Sequence, residues 1–202
     1  MGRKILVDID NTLTTPDVII KKMAEMFGSS FITSDELKSY RMGDAFGVTR
    51  QQEKLFWDLF GYESIGNSEI NIKTTKTIYD SIIKKDDEIH IITARPQNYE
   101  GITKQWLEQH NIKYDNLILV GRNSKIGLIE QLKIEVVIDD KPDLFNEIEV
   151  IKQLFPKSNT ATLINENLFH RYVVDYPYNE NVTSEFRICR KTGEIKEGYY
   201  GN

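Results

Sequence analysis

Cysteine is almost missing from this chain, with Cys189 alone among 202 residues. One thiol cannot build an internal disulfide framework, and the scarcity fits a reducing compartment. Long apolar runs are also missing, so no stretch is suited to cross a membrane as a helix. Met1-Gly2-Arg3-Lys4 leads straight into an apolar run without a signal-peptide core, and Leu6 stands where an N-myristoylation signal needs Ser or Thr. The expected address is cytoplasmic, with no membrane partner. Positive charge is not in excess either, since the formal net charge is −5. That balance speaks against a nucleic-acid polyanion as the main partner. His90 lies inside an apolar strand and reads as a core residue, while His110 and His170 show no ligand spacing. What is present is 40% hydrophobic and 28% charged residues, enough for a soluble core with a modest insertion.

The apolar pattern changes along the chain. Ile5-Leu6-Val7 reads as a buried strand that ends in Asp8-Ile9-Asp10-Asn11-Thr12. Residues 14–72 then have helical spacing throughout. Ile19, Met23, Met26 and Phe27 form one stripe stopped by Gly28, and Leu55, Phe56, Leu59 and Phe60 form another. Thr33 with Glu36 and Thr49 with Gln52 have the spacing of capping boxes. From residue 73 strands and helices alternate. Strands are expected at Glu88–Thr93, Leu117–Val120 and Val136–Ile138, with a weaker one near Ala161-Thr162-Leu163. Helices are expected around Ile78/Ile82, Ile102/Trp106, Ser124–Leu132 and Leu144–Phe155. This alternation predicts an α/β fold, a Rossmann-like doubly wound parallel sheet with a small helical cap inserted after the first strand. The expected division is a core of residues 1–13 and 73–170, a cap of residues 14–72, and a C-terminal extension of residues 171–202. Phe186–Cys189 and Glu194–Lys196 around Gly193 have the pattern of a terminal hairpin, read as an accessory edge or a homo-oligomer contact.

In a doubly wound sheet, ligands bind beyond the carboxyl ends of the strands. Those ends carry Asp8 and Asp10, then Thr93, then Lys125, then Asp139-Asp140. Residues two apart on an extended strand share a side, so Asp8 and Asp10 point together while Ile9 points away. Asn11 suits the left-handed backbone that a strand exit often needs, and Thr12 can hydrogen-bond back across the loop. The set contains a nucleophile, a cage for a metal, a hydroxyl donor and a fixed positive charge, which are the parts that phosphoryl transfer requires.

These residues resemble the haloacid dehalogenase superfamily. Its four motifs fall in order on Asp8-Ile9-Asp10-Asn11-Thr12, on Thr93, on Lys125, and on Asp139-Asp140-Lys141-Pro142-Asp143. Within the superfamily the chain is similar to the 5′-nucleotidase and deoxyribonucleotidase branch and its bacterial nucleotidase-like relatives, with Asn11 and Lys141 in place of a commoner glycine and arginine. The resemblance implies a Mg²⁺-dependent phosphomonoesterase working through an aspartyl-phosphate. It implies Asp8 as nucleophile, Asp10 as general acid/base, and Thr93 and Lys125 as phosphate-binding residues, with Arg122 and Lys141 as neighbours that can replace Lys125. It implies Asp8, the Asp10 backbone carbonyl and Asp140 as metal ligands, with Asp139 behind them. The implied substrate is a small phosphomonoester, a nucleotide first. Asp10 separates the chain from dehalogenases and P-type ATPases, which lack an aspartate there. Other readings are a polynucleotide end phosphatase, a sugar phosphatase, and a silent nucleotide-binding module. Arg95 is read as touching substrate or pairing with an acid, and Phe46, Phe56, Trp57 and Phe60 as base-stacking residues or cap core.

Overall fold

Apolar runs at the expected places become strands of one sheet. In the computed structural model, which describes residues 2–30 and 32–198, seven strands form the order β3-β2-β1-β4-β5-β6-β7. They are β1 Lys4–Val7, β2 Glu88–Thr93, β3 Asn116–Leu119, β4 Val136–Asp139, β5 His170–Val174, β6 Phe186–Ile188 and β7 Ile195–Glu197. The first six are parallel and β7 is antiparallel to β6. The chain winds outward from β1 through β2 to β3, then crosses back to β4 on the other side of β1. That reversal places a topological switch point between β1 and β4, where the carboxyl ends leave a crevice.

Strand pleating sorts the core onto two faces. Ile5 and Val7 of β1, with Ile89, Ile91, Val136 and Ile138, pack on one face against Ile78, Ile82 and Trp106. Leu6, with Ile92, Val137 and Val173, packs on the other face against Ile129, Leu144, Phe145 and Ile148. Both faces are covered, which is why these strands are apolar on both sides.

Between β1 and β2 lie α1 Asp17–Phe27, the short α2 Met42–Ala45, α3 Arg50–Gly66 and α4 Ile72–Thr77, the last continuing into a wider turn at Ile78–Ile82. Gly28 ends α1 with φ 62°, and Thr49 caps α3 by accepting from the Gln52 N–H. Ile19, Ile20, Met23, Leu37, Met42 and Phe56 form a small separate core among the first three helices. Thr14 and Ile70 form an antiparallel bridge where the segment leaves and rejoins the sheet.

The remaining helices are α5 Glu100–Gln109, α6 Ile126–Leu132, α7 Pro142–Leu154 and α8 Asn159–Asn165. The strand expected near Ala161 is therefore a helix. Ser158 caps it by accepting from the Ala161 N–H at 3.1 Å, and Glu130 accepts from the Asn159 and Thr160 N–H groups. The strand of that βαβ unit comes later, at β5, and so the sheet runs on past residue 170. The hairpin of β6 and β7 turns through Gly193 at φ 77° and extends the main sheet. Of the extension expected over residues 171–202, residues 199–202 lie outside those described.

Candidate active site

Of the side chains expected at the strand ends, Asp8, Lys125, Asp139 and Asp140 meet at the switch point. Asp8 extends the β1–β4 ladder, its N–H donating to the Ile138 carbonyl at 3.0 Å. Asp8, Asp139 and Asp140 are 5%, 0% and 1% exposed, and each brings an oxygen within 4.8 Å of the others. Lys125 stands just before α6 and reaches back into this group. Its Nζ donates to Asp8 Oδ1 at 2.5 Å and to Asp139 Oδ2 at 2.7 Å.

Three buried carboxylates face one buried ammonium, so the cluster holds more negative charge than it can balance. The titration behaviour follows from that surplus. Burial pushes the Asp8 carboxyl up to about 7, with Lys125 pulling it down and Asp139 and Asp10 adding to the rise. Asp140 is raised well above the carboxylate range by burial first, then by Asp139 and Asp8. Burial would lower Lys125, but Asp139 and Asp8 together hold it above its ordinary value.

The two aspartates that end β4 differ in what they have left to offer. Asp139 accepts on both oxygens, Oδ2 from Lys125 and Oδ1 from the Lys141 N–H at 2.8 Å. Asp140 accepts on Oδ2 from the Tyr178 hydroxyl and from Asn11 Nδ2, the latter at 3.3 Å. Its Oδ1 is buried without a hydrogen-bond partner. A buried oxygen left unpaired is costly, and native structures seldom keep one without a reason. A hard, oxygen-seeking cation would supply the missing partner, and an acid cluster of this kind fits one.

Asp10 lies apart from that trio. Arg95 Nη2 donates to Asp10 Oδ1 at 2.7 Å and Arg95 Nε to Oδ2 at 3.0 Å, while Arg95 Nη1 donates to Thr103 Oγ1 at 3.2 Å. Of the two readings of Arg95, the structure contains the acid pair. Asn11 has φ 60°, as a strand exit requires, and its amide also donates to the Tyr178 hydroxyl at 3.1 Å. The residue in the usual glycine position thus supplies a donor that glycine lacks. The loop is braced by Thr14 rather than Thr12. Thr14 Oγ1 accepts from the Asn11 N–H at 3.1 Å and donates to the Ile9 carbonyl at 3.3 Å, whereas the buried Thr12 hydroxyl has no partner. Thr93 is fully buried at the end of β2, one strand over from Asp8, and accepts from the Arg95 N–H at 3.3 Å.

The aromatics of the insertion divide in a way their spacing did not reveal. Phe56 is fully buried, and Phe46, Trp57 and Phe60 pack partly buried around it. Tyr40 is instead 38% exposed. Its hydroxyl is nonetheless pushed well above its ordinary range, by burial first and then by Asp140, Asp8, Asp139 and Asp10. Lys141 Nζ lies 5.9 Å from the Tyr40 ring centre, and the Tyr178 ring meets Tyr40 edge-on at 5.6 Å. Burial and Asp140 likewise keep the Tyr178 hydroxyl well above its ordinary range, so it remains a donor. Neither tyrosine carries a motif. The only sequence signal near Tyr178 is the turn-forming run Asp175-Tyr176-Pro177-Tyr178-Asn179.

No family model matches the chain. It is 29% identical to a "putative nucleotidase" of Halalkalibacterium halodurans over 142 residues, which cover 68% of this chain and 69% of that protein. It is 24% identical to a nucleotidase of Clostridium acetobutylicum over 175 residues, 87% of this chain and 88% of that one. A crystal structure of a HAD-superfamily hydrolase of subfamily IA from Geobacter sulfurreducens aligns with a TM-score of 0.49 at 11% identity, covering 92% of this chain and 91% of that one. The chain thus has bacterial nucleotidase-like relatives.

Proposed function

We propose that this chain is a Mg²⁺-dependent cytoplasmic phosphomonoesterase that hydrolyses nucleoside 5′-monophosphates through an aspartyl-phosphate on Asp8. The observation that carries this reading is the buried cluster of Asp8, Asp139 and Asp140 around Lys125, with one Asp140 oxygen unpaired. The nucleotidase names of its relatives support the substrate class. Mg²⁺ would be held by the Asp8 carboxylate, the Asp10 backbone carbonyl and Asp140. Asp139, with both oxygens already engaged, serves behind them by fixing Lys125. When bound, the cation offsets the charge that keeps a carboxylate away from an anionic phosphoryl group.

An Asp8 oxygen bonds to phosphorus as the ester oxygen departs, and Asp10 gives that oxygen a proton. Water then attacks the phosphorus of the acyl phosphate while Asp10 takes its proton, releasing inorganic phosphate and the Asp8 carboxylate. A carboxylate gripped by a guanidinium is poorly placed to carry a proton, so Asp10 must leave Arg95 for the first of these transfers. Lys125 has three N–H donors and uses two in this structure, which leaves one for a phosphoryl oxygen beside the Thr93 hydroxyl. The helices of residues 14–72 serve as a cap that excludes water and meets the part of the substrate beyond the phosphate.

Phosphate release from nucleoside monophosphates and small sugar phosphates, with and without a chelator, tests the reading. The expected result is Mg²⁺-dependent release with nucleotides preferred, and a fall of at least about 10³-fold in a folded Asp8→Asn variant. Normal release by that variant sinks the covalent route. Sugar phosphates outranking every nucleotide would remove the nucleotide assignment and leave the phosphatase chemistry.

A further inference from the structure

Besides the motif residues, a segment outside every motif reaches the carboxylate cluster at Asp140. After β5 the chain makes a tight turn at Pro177–Asn179. Asn179 fastens that turn, with its Nδ2 donating to the Asp140 carbonyl and to the Val174 carbonyl, both at 2.8 Å. Arg187 on β6 holds Asn179 in turn. Its Nη2 donates to Asn179 Oδ1 at 2.8 Å and to Asp175 Oδ1 at 2.6 Å. Tyr178 is then clamped between two rings, stacked on Tyr176 at 5.1 Å and 5° and edge-on to Tyr40. Its hydroxyl accepts from Asn11 Nδ2 at 3.1 Å and donates to Asp140 Oδ2.

We infer that Tyr178 is a positioning residue for the metal site, turning the Asp140 carboxylate so that Oδ1 faces Asp8 and the cation. The inference rests on the metal-site reading above. A carboxylate can rotate about its terminal torsion and present either oxygen. Two donors on Oδ2, the Tyr178 hydroxyl and the Asn11 amide, fix which one is presented. Both donors are neutral, so Oδ1 keeps its charge for a cation. Asp139 is the counterexample, with Oδ2 already occupied by the Lys125 ammonium. Partners behind a ligand set its orientation and basicity, and losing one commonly costs about 10–100-fold in metal affinity. The C-terminal segment is on this account part of the metal site, with Arg187, Asn179, Tyr178 and Asp140 acting in series.

Mg²⁺ titration calorimetry on the full chain without substrate tests the idea, using Tyr178→Phe and Asp140→Asn. Tyr178→Phe keeps both ring contacts and removes the hydroxyl, which donates to Asp140 and accepts from Asn11. The expected result is an affinity about 10–100-fold weaker, with the metal-free Tm moved by no more than about 4 °C. Asp140→Asn should bind no Mg²⁺. If Asp140→Asn loses binding and Tyr178→Phe retains wild-type affinity, the positioning role is wrong and the metal site stands. If Asp140→Asn binds Mg²⁺ normally, the metal-site reading falls and takes this inference with it. A collapse of the metal-free Tm in Tyr178→Phe, or failure to fold, makes Tyr178 a structural residue and overturns the inference as well.

Discussion

The insertion of residues 14–72 and the C-terminal segment beyond β5 reach the same carboxylates, yet they are attached in different ways. The insertion has its own apolar core around Phe56 and also rests α3 against α5 of the sheet's helical layer, where the Tyr99 hydroxyl donates to the Trp57 carbonyl at 3.1 Å. Its two ends are drawn together by the Thr14–Ile70 bridge and the Thr15 N–H to Glu69 bond at 2.8 Å, and Asn71 N–H to Leu13 at 2.7 Å and Trp106 Nε1 to the Ser68 carbonyl at 2.8 Å tie them to the core. The C-terminal segment has little core of its own. Its strand β6 pairs with β5, and Arg187 and Asn179 tie its turn to the site. A unit with a core of its own, resting on helices rather than paired into the sheet, can shift more readily than a segment woven into the sheet. The difference suits the first to open and close over a substrate and the second to hold a metal ligand still.

The sharpest way to break this comparison is to damage the private core alone. Phe56 is fully buried, with Trp57 and Phe60 ring centres 5.3 and 6.0 Å away. Phe56→Ala should cost the insertion about 3–5 kcal/mol. If the insertion is a separate unit, Mg²⁺ affinity should stay within about threefold of wild type while KM rises, because the metal site lies in the sheet. Tyr40→Ala should raise KM with a smaller loss of stability, since Tyr40 is 38% exposed and lies beside Tyr178 and Lys141. Thermal melts, calorimetry and steady-state kinetics on the two variants decide the matter. A Phe56→Ala protein that no longer binds Mg²⁺ would show that insertion and site are one cooperative unit.

Proton linkage gives the next largest effect. The Asp8 carboxyl is raised to about 7, so the metal-free folded protein holds a proton that the unfolded chain releases near pH 4. The stability due to that proton is complete below about pH 4 and is lost as the pH climbs through about 7. Mg²⁺ needs ionised carboxylates, and Asp8 and Asp140 are both raised, so its affinity should rise with pH through about 7. Melting at several pH values, with Mg²⁺ and with chelator, isolates the cluster from other carboxylates that shift the opposite way, such as Asp87. The Tm gap should widen from pH 5 to pH 7.5. A gap that narrows would mean that the acid cluster does not bind the metal.

What was legible in the sequence was what strand periodicity fixes. Asp8, Thr93, Asp139 and Asp140 close apolar runs, Lys125 follows the short polar loop after one, and the strand ends beside a switch point lie together. The residues that were not legible reach the site by tertiary packing. Tyr40 sits between two short helical pieces of the insertion, and Tyr178 in a turn beyond the expected core, so no local period marks either. The tail was read as an accessory edge because its strands are short and its polar turn resembles any other. The strand expected at Ala161 failed for a local reason, since Ser158 and Glu130 cap that stretch as a helix. Thr14 took the bracing role expected of Thr12, its hydroxyl lying between the Asn11 N–H and the Ile9 carbonyl.

The smallest expected effect lies where the two segments touch. Asp35, in the short turn Ser34–Glu36 of the insertion, accepts from Arg190 and from Lys191 Nζ, the latter at 2.6 Å. Among the described residues these are the only ion pairs joining the insertion to the C-terminal segment. Arg190 is well held, with its guanidinium 4.6 Å from the Tyr176 ring centre and Nη1 donating to the Asp175 carbonyl at 3.0 Å. Asp35 itself is half exposed, so water and salt weaken the pair. The hydrogen bond from Lys191 heads the causes that hold its carboxyl below the ordinary range, and the contact is lost as the pH falls. Asp35→Asn should therefore cost less than about 1 kcal/mol of stability. If the pair helps to keep the insertion down over the site, the variant should show about a twofold higher KM at low salt and an unchanged kcat. Near 1 M salt, where screening acts within about 3 Å, that difference should vanish. A KM difference that persists at high salt would mean that Asp35 acts through local structure, and the contact between insertion and C-terminal segment would then carry no closing force.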